Sequence, residues 1–273
     1  MHNLYTNGIH VHCDVWGMGH PLLLLPGAGF GAWFWNKMWA DMTDHYHVVA
    51  PDPRGSGETD KPKGPYSVEM LARDAAGVLD DLRLRGAFVV GYQLGAYVAQ
   101  QLAVQRPELV SKLVLAAADF GIPDALPLPG EVRDVLADRE GEPAEVARRQ
   151  FEVMTAPGFA EAQPDLLAEL VEYRLSDAVP IAAMQAQGAA LAGTRSGEVD
   201  LEEQLATIAA PTLVLFGEHD RIVPAGNAQR VADRISGAQA QLVPDAGHLF
   251  PLEAPSATAQ ALLDFLNVRM YGH

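Results

Sequence analysis

Val89-Val90-Gly91-Tyr92-Gln93-Leu94-Gly95-Ala96 is the stretch that decides the fold. Its first residues are β-branched and apolar, which favours a buried strand, and the residues after Gln93 favour a helix. Gly91 and Gly95 flank the corner between them, and glycine at both positions lets the strand and the helix approach closely. The pattern predicts that residue 93 is presented at the end of a buried strand, and this residue is a glutamine.

The rest of the chain alternates between apolar runs of strand length and segments with helical spacing. Short continuous apolar runs favour strands covered on both faces, and regular alternation favours parallel strands joined by right-handed crossovers. The predicted fold class is α/β, with a mostly parallel, doubly wound sheet. Strands are predicted over residues 9–16, 21–25, 47–51, 87–91, 112–116, 211–217 and 240–243. Helices are predicted over residues 33–42, 68–84, 94–106, 225–235 and 257–268.

The alternation stops after residue 118 and returns near residue 205. Residues 119–204 contain no convincing strand, and their spacing predicts several helices separated by proline and glycine. We expect this segment to be a helical cap, inserted after the predicted strand over residues 112–116 of a core formed by residues 1–118 and 205–273. The predicted helices of the cap cover residues 131–139, 144–154, 164–175 and 180–191.

The charge balance is strongly acidic. The 273 residues include 19 Lys and Arg against 35 Asp and Glu, which gives a formal net charge of −16. An acidic surface repels phosphate backbones and anionic lipid headgroups, so neither nucleic acid nor a membrane is expected as a partner. The first residues do not form a charged and then apolar leader, and the apolar run over residues 22–25 ends at Pro26. We expect a cytoplasmic monomer or homodimer that acts on a small molecule.

The sequence offers little for metal or redox chemistry. Cys13 is the single cysteine, so it has no partner for a disulfide within the chain, and a packed thiol is expected. His10 and His12 face one side of a predicted strand, but a zinc site needs more ligands than this. No metal and no cofactor are expected. Asp52 and Arg54 follow a predicted strand and are expected to brace the neighbouring loop.

Four predicted strands end in glycine-rich or polar segments. These segments cover residues 26–29, 91–95, 218–220 and 245–248. The carboxyl ends of parallel strands meet at one edge of the sheet, where ligands collect in open α/β folds. We therefore expect the four segments to lie close together beneath the helical cap.

These segments resemble those of the α/β-hydrolases. The similarity is to the esterase, lactonase and cofactor-free haloperoxidase branch, which includes proteins like 3-oxoadipate enol-lactonase, and it extends over nearly the whole chain. It rests on residues 25–29, 52–57, 91–95, 216–220 and 247–248, in the family order of elbow, acid and histidine. The usual His-Gly of the first segment is Pro26-Gly27 here. The nucleophile position holds Gln93, where the family carries serine.

The resemblance implies a role for several residues. Asp220 matches the acid of a catalytic triad and His248 the base, and the acid would fix the tautomer of the histidine. The backbone N–H groups of Ala28 and Leu94 match an oxyanion hole, which stabilises negative charge on a carbonyl oxygen. We also predict a mainly apolar substrate pocket. Its predicted lining residues are Gly27, Gly29, Phe30, Trp33, Tyr92, Met154, Met184 and Leu249.

Gln93 removes the nucleophile from this arrangement, because a carboxamide is a very poor nucleophile. Four hypotheses remain. The first is an enzyme that uses His248 and Asp220 for non-covalent acid–base chemistry on a small carbonyl compound, as an epimerase, isomerase, cyclase or lyase does. The second is an ester or lactone hydrolase that acts through water activated by His248. The third is a ligand-binding protein without activity, and the fourth is an engineered change from serine.

Overall fold

Eight strands form one sheet in the computed structural model, which describes residues 2–177, 179–195 and 201–267. Their order across the sheet is β1-β2-β4-β3-β5-β6-β7-β8. The pairs β1/β2 and β2/β4 are antiparallel, and all the other pairs are parallel, which confirms the predicted fold class. The strands are β1 (His2–Thr6), β2 (Ile9–Trp16), β3 (His20–Leu25), β4 (Tyr46–Pro51), β5 (Ala87–Tyr92), β6 (Val110–Ala116), β7 (Thr212–Gly217) and β8 (Gln239–Val243).

Helices connect these strands and cover both faces of the sheet. In the core they are α1 (Trp39–Thr43), α2 (Val68–Asp81), α3 (Leu94–Gln105), α10 (Asn227–Ala232), α11 (Phe250–Glu253) and α12 (Pro255–Leu266). The segment between β6 and β7 contains α4 (Gly130–Ala137), α5 (Pro143–Met154), α6 (Phe159–Ala162), α7 (Pro164–Ser176), α8 (Ile181–Arg195) and α9 (Leu201–Leu205). No helix in the described ranges combines the length and the apolarity that a membrane span requires.

The structure differs from the sequence-based predictions mainly in short elements. Strand β1 was not predicted, because it is an exposed edge strand without an apolar run. The predicted helix over residues 33–42 is a 3-10 helix (Ala32–Met38) followed by one turn of α1. Helices α6, α9 and α11 were also missed, since four or five residues are too few to establish a helical period. The predicted end of the last helix, Val268, lies outside the described residues.

The core lies on both faces of the sheet. Along β3, Leu23 and Leu25 pack with α2 and α3 on one face, whereas Leu22 and Leu24 pack with the 3-10 helix and α12 on the other. All four leucines are at most 6% exposed. Because both faces are covered, the strand has the continuous apolar sequence from which it was predicted.

The corner between β5 and α3 depends on its two glycines. A Cβ atom on Gly91 would overlap the carbonyl group of Gly95, and a Cβ atom on Gly95 would overlap the carbonyl group of Leu25. Gln93, at the tip of the corner, has φ 50° and ψ −113°. This backbone region is costly for a residue other than glycine, by about 1–3 kcal/mol. The surrounding packing therefore holds the backbone of Gln93 in this conformation.

Asp52 and Arg54 brace the loop after β4, as predicted. Asp52 accepts hydrogen bonds from the backbone N–H groups of Ala32 at 2.7 Å and Glu58 at 2.9 Å. Arg54 binds Asp74 of α2 through two parallel hydrogen bonds, Nε to Oδ2 at 2.8 Å and Nη2 to Oδ1 at 2.7 Å. Both partners of this ion pair are buried. The pair ties the loop to the helix beneath the sheet edge.

We expect Asp74→Ala to lower the free energy of unfolding by about 3–5 kcal/mol, because it leaves the Arg54 guanidinium buried without its counter-charge. Asp80→Ala is the matched control on the same helix. Asp80 pairs with Arg106 at 3.0 Å, but both side chains are 36% exposed, so its loss should cost less than about 1 kcal/mol. Urea unfolding of both variants measures the difference. Equal losses would contradict a structural role for the buried pair.

Candidate active site

The carboxamide of Gln93 is bound by two backbone N–H groups. Its Oε1 atom accepts a hydrogen bond from Ala28 at 2.9 Å and a second from Leu94 at 2.8 Å. These are the two N–H groups that the sequence predicted as donors to a substrate oxygen. They do converge on one point, and the side chain of Gln93 occupies it.

The amide nitrogen of Gln93, unlike its oxygen, is not bound by the backbone. Within the described residues it has no hydrogen-bond partner, and the side chain is partly exposed to a cavity. With its oxygen engaged by the backbone, the side chain offers its two N–H bonds to a ligand. The corner thus presents hydrogen-bond donors instead of a nucleophile.

His248 and Asp220 are brought together as predicted. Nδ1 of His248 lies 2.8 Å from Oδ2 of Asp220, and both side chains are almost fully buried. The other carboxylate oxygen, Oδ1, accepts the backbone N–H groups of Ile222 at 2.8 Å and Val223 at 2.9 Å. With Asp220 ionised, Nδ1 carries the proton and Nε2 is left as a proton acceptor. The arrangement suits a general base.

The loop that carries His248 is held from both sides. The hydroxyl group of Tyr92, the residue before Gln93, donates to the carbonyl oxygen of His248 at 2.9 Å. The backbone N–H of His248 donates to the carbonyl oxygen of Met154 at 2.7 Å, and that of Leu249 donates to the same oxygen at 3.2 Å. Met154 ends α5, so the helical segment between β6 and β7 is bonded directly to the histidine loop.

Glu253 is a site residue that the sequence analysis missed. Its carboxylate accepts the backbone N–H groups of Ala156 at 2.7 Å and Gly247 at 3.0 Å, and so joins the segment after α5 to the residue before His248. Burial raises the pKa of Glu253 to about 7, while these two N–H groups oppose the increase. The available signal was a glutamate five residues after the histidine, in an otherwise apolar run.

Gln93 lines one cavity, and a second cavity adjoins it. The inner cavity has a volume of about 430 Å³, and the outer one about 720 Å³. Leu128 and Ile222 line both cavities, so the two cavities adjoin each other. Ile222 and Val223, whose N–H groups donate to Asp220, lie in the wall of the inner cavity, whereas Asp220 and His248 themselves are not among its lining residues. The inner cavity is lined by Gln93, Tyr97, Ala117, Ala118, Leu128, Leu191, Ala192, Ile222 and Val223.

The residues predicted to line the substrate pocket lie elsewhere, and none of them is part of the inner cavity wall. Helix α7 fills the space in front of several of them. Trp33 stacks on Tyr173 of α7 with ring centres 5.2 Å apart, and the guanidinium of Arg174 lies 4.7 Å from the ring centre of Phe30. The remaining predicted pocket residues are buried or pack against buried residues. They are Gly27, Gly29, Tyr92, Met154, Met184 and Leu249.

Arg174 is unusual in this packing. Its guanidinium also lies 5.3 Å from the ring centre of Phe151, so two aromatic faces enclose it. Among the described residues, its Nε atom has no hydrogen-bond partner. Burial lowers the pKa of Arg174 to about 10. The two aromatic rings stabilise the cation by about 2 kcal/mol when water is excluded, and the negative charge of Asp177 also favours it.

One group of potential metal ligands occurs among the described residues. It consists of Glu218, His219 and Asp245, whose ligand atoms lie within 4.8 Å of one another. All three are exposed, and exposed acidic groups at this spacing are common in proteins that bind no metal. We assign no metal or cofactor to them.

Comparisons with known proteins agree with this fold. A family model described as alpha/beta hydrolase fold matches residues 20–255. A 2-hydroxy-6-oxo-2,4-heptadienoate hydrolase of Pseudomonas putida is 29% identical over 279 residues, which cover 96% of this chain and 94% of that protein. A 3-oxoadipate enol-lactonase of Acinetobacter baylyi is 27% identical, over 84% of this chain and 81% of the lactonase. The structure of a thermophilic esterase from Thermogutta terrifontis superimposes with a TM-score of 0.78 at 28% identity, covering 97% and 96% of the two chains.

Gln93→Ser should convert the corner into a reactive site. The change supplies a hydroxyl nucleophile and frees the N–H groups of Ala28 and Leu94. We expect covalent labelling by a fluorophosphonate, detected by intact-mass spectrometry, and a rise in p-nitrophenyl acetate hydrolysis on the order of 10³-fold or more. The wild-type protein should not be labelled. Adding His248→Ala to the serine variant should remove the labelling. Labelling of wild-type protein at residue 93 would contradict the assignment.

Glu253 should make stability depend on pH. A folded-state pKa near 7, raised from the ordinary value of 4.5, means that the folded protein retains a proton that the unfolded chain has lost. The free energy of unfolding should therefore fall as the pH rises between these two values. Urea unfolding at about pH 5 and about pH 7.5 measures this change. Glu253→Gln should reduce it, and Glu161→Gln, at an exposed position on α6, should not. An unchanged slope in the Glu253 variant would refute the effect.

Proposed function

This chain belongs to the alpha/beta hydrolase fold family, and from that premise we propose that it catalyses non-covalent acid–base chemistry on a small carbonyl compound. The observation that carries the proposal is the position of Gln93, whose oxygen is bound by Ala28 and Leu94 while His248 and Asp220 stay paired. A proton-transfer pair is retained where the nucleophile is absent.

Two features of Gln93 disfavour covalent ester hydrolysis. A carboxamide does not attack an ester, and loss of a triad nucleophile costs on the order of 10⁶ in turnover. In addition, Oε1 of Gln93 fills the point at which the two backbone N–H groups converge. While that side chain stays in place, a substrate oxygen cannot take both hydrogen bonds. The acyl-enzyme route therefore lacks its nucleophile and its usual charge stabilisation.

His248 is the proposed proton acceptor. In this scheme a C–H bond next to the substrate carbonyl breaks, its proton moves to Nε2 of His248, and the electron pair moves onto the carbonyl oxygen. Asp220 stabilises the imidazolium that forms. Return of the proton to the other face or to another carbon gives epimerisation or isomerisation. Cyclisation or loss of a leaving group from the same enolate gives cyclase or lyase chemistry.

Gln93 is the proposed stabiliser of the enolate oxygen. The two N–H groups that bind Oε1 draw electron density from the amide and make its N–H bonds better donors, since linked hydrogen bonds polarise one another. The backbone N–H groups of Ala28 and Leu94 would thus stabilise the enolate indirectly, because they polarise the Gln93 carboxamide that donates to it. One such donor is typically worth about 10²–10³ in rate.

We further propose that residues 119–204 act as a cap over this site. Leu128 and two residues of α8, Leu191 and Ala192, line the inner cavity and support this role. The cap would exclude water from the enolate and set the substrate size. An apolar wall with few polar groups fits a mainly apolar or aromatic carbonyl compound.

Hydrolysis through activated water is the second candidate function. It is favoured by the relatives, which are named hydrolases and lactonases. His248 would take a proton from water instead of from carbon, and Gln93 would hold the carbonyl oxygen. The two reactions differ in the solvent atom that enters the product: proton transfer places solvent hydrogen on carbon, whereas hydrolysis places solvent oxygen in the acid.

Solvent exchange tests the proposal directly. With propiophenone in deuterium oxide, the wild-type protein should incorporate deuterium at the carbon beside the carbonyl, followed by proton NMR. We expect His248→Ala to abolish the enzymatic exchange and Asp220→Asn to slow it by up to about 10⁴, by analogy with loss of the acid in a triad. The matched control is His219→Ala, which removes an exposed histidine next to Asp220 and should leave the exchange intact.

The same protein variants, given an ester in place of the ketone, separate the two candidate functions. With phenyl acetate in ¹⁸O-water, hydrolysis through His248 would place ¹⁸O in the acetate and would be lost in His248→Ala. Hydrolysis of this kind without any carbon exchange would replace the proposal by the second candidate. Exchange that persists at the wild-type rate in His248→Ala would also overturn it.

A further inference from the structure

The side chain of Gln93 has the shape of a serine that carries an acyl group. An acylated serine has the chain Cβ–Oγ–C=O, and glutamine has Cβ–Cγ–Cδ=Oε1, with the same number of bonds. In an acyl-serine intermediate the carbonyl oxygen accepts hydrogen bonds from two backbone N–H groups. Oε1 of Gln93 is bound in this way, by Ala28 at 2.9 Å and Leu94 at 2.8 Å. The protein therefore holds its own amide carbonyl as it would hold the carbonyl of a substrate.

The base that hydrolyses an acyl-serine is also retained. In a triad, the histidine takes a proton from the water that attacks the acyl carbon. His248 keeps its Nδ1 atom 2.8 Å from Oδ2 of Asp220, so Nε2 is left as a proton acceptor. The ring of His248 lies against Tyr92, the residue before Gln93, with ring centres 5.3 Å apart. The acid–histidine pair therefore stands beside the corner that carries the bound amide.

Solvent has access to the amide from the inner cavity. Gln93 lines this cavity of about 430 Å³ and is partly exposed. Within the described residues, its amide nitrogen has no hydrogen-bond partner that would retain it. Water can thus reach the carboxamide, and ammonia can leave through the same space.

We propose that this site hydrolyses its own Gln93 and so converts it into glutamate. A water proton moves to Nε2 of His248 as the water oxygen bonds to Cδ. The electron pair of the carbonyl bond moves onto Oε1, where the N–H groups of Ala28 and Leu94 stabilise the charge. His248 then returns the proton to the amide nitrogen, and the bond from Cδ to that nitrogen breaks. One glutamine and one water give one glutamate and one ammonium ion, and no bond of the main chain is cut.

The product is stabilised where it forms. A carboxylate at residue 93 accepts the same two N–H groups, now as charge-assisted hydrogen bonds, at the N-terminus of α3. It has no N–H bonds of its own, so the donors that Gln93 offers to a ligand are lost. Within the proposed function, the conversion would therefore inactivate the site. The conversion itself requires only water and the residues of this chain.

Peptide mass spectrometry tests the inference without a substrate. The wild-type protein is incubated in ¹⁸O-water and then digested with trypsin in ordinary water. Fragmentation of the peptide shows which glutamines were converted. We expect glutamate with one ¹⁸O atom at residue 93, formed on the order of 10³-fold or more faster than glutamate at residue 105.

Two glutamines of α3 serve as internal controls, because they lie in the same tryptic peptide as Gln93. Gln105 is exposed and reports the reaction with solvent alone. Gln100 is buried, and its Oε1 atom accepts no hydrogen bond within the described residues. Neither amide oxygen is held by two backbone N–H groups, so neither glutamine should be converted at the rate of Gln93.

Three variants test the role of the histidine. His248→Ala should reduce conversion at residue 93 to the level of Gln105, and Asp220→Asn should slow it. His219→Ala, which removes an exposed histidine next to Asp220, should leave the rate unchanged. A Gln93→Glu protein supplies the reference peptide for the product. Circular dichroism confirms that each variant is folded.

Conversion at residue 93 that is no faster than at Gln105 overturns the inference, and so does conversion at an equal rate in His248→Ala. Glutamate already present at residue 93 of freshly purified wild-type protein supports it when His248→Ala, purified in the same way, retains glutamine. A protein that exchanges no deuterium but converts Gln93 contradicts only the proposed function. Exchange in a protein that never converts Gln93 contradicts only the self-hydrolysis.

Discussion

The two hydrogen bonds to Oε1 of Gln93 determine how the site is assembled. One comes from Leu94, the first residue of α3, so the side chain caps the helix that it begins. The other comes from Ala28, in the loop after β3. A single oxygen thus joins the central strand, its helix and the neighbouring loop. The partial positive charge at the helix N-terminus strengthens this contact and leaves the amide group directed away from the backbone.

The helical segment between β6 and β7 is fastened to the same loops. Met154 accepts the N–H groups of the histidine loop, and Gln187 of α8 accepts the N–H of Gly29 at 2.8 Å while donating to Arg54 and Ser56. Gln187 is buried with both ends of its amide engaged. The position of the histidine and of the loop beside Gln93 therefore depends on how this segment packs, although its residues lie far away in sequence.

The sequence predicted the features that depend on local pattern or on strand order. Buried strands such as β3 and β5 were recognisable from apolar runs, and parallel pairing then placed Asp220 and His248 at one edge. Features that depend on packing across the chain could not be predicted. Nothing in the sequence shows that Gln93 turns its oxygen onto the backbone, because another rotamer suits the same residue. The predicted pocket residues do not line the inner cavity, and the sequence could not show this because the placement of α7 over Phe30 and Trp33 is not a local property.

The stack of Trp33 on Tyr173 provides an optical reporter within the molecule. The protein has four tryptophans, at positions 16, 33, 35 and 39, and all of them precede the inserted helical segment. Trp33 is the one whose ring lies nearly parallel to an aromatic ring of α7, with an interplanar angle of 14°. Its emission therefore responds to separation of α7 from the sheet. Movement of α7 relative to Trp33 can therefore be followed by intrinsic fluorescence in the unmodified protein.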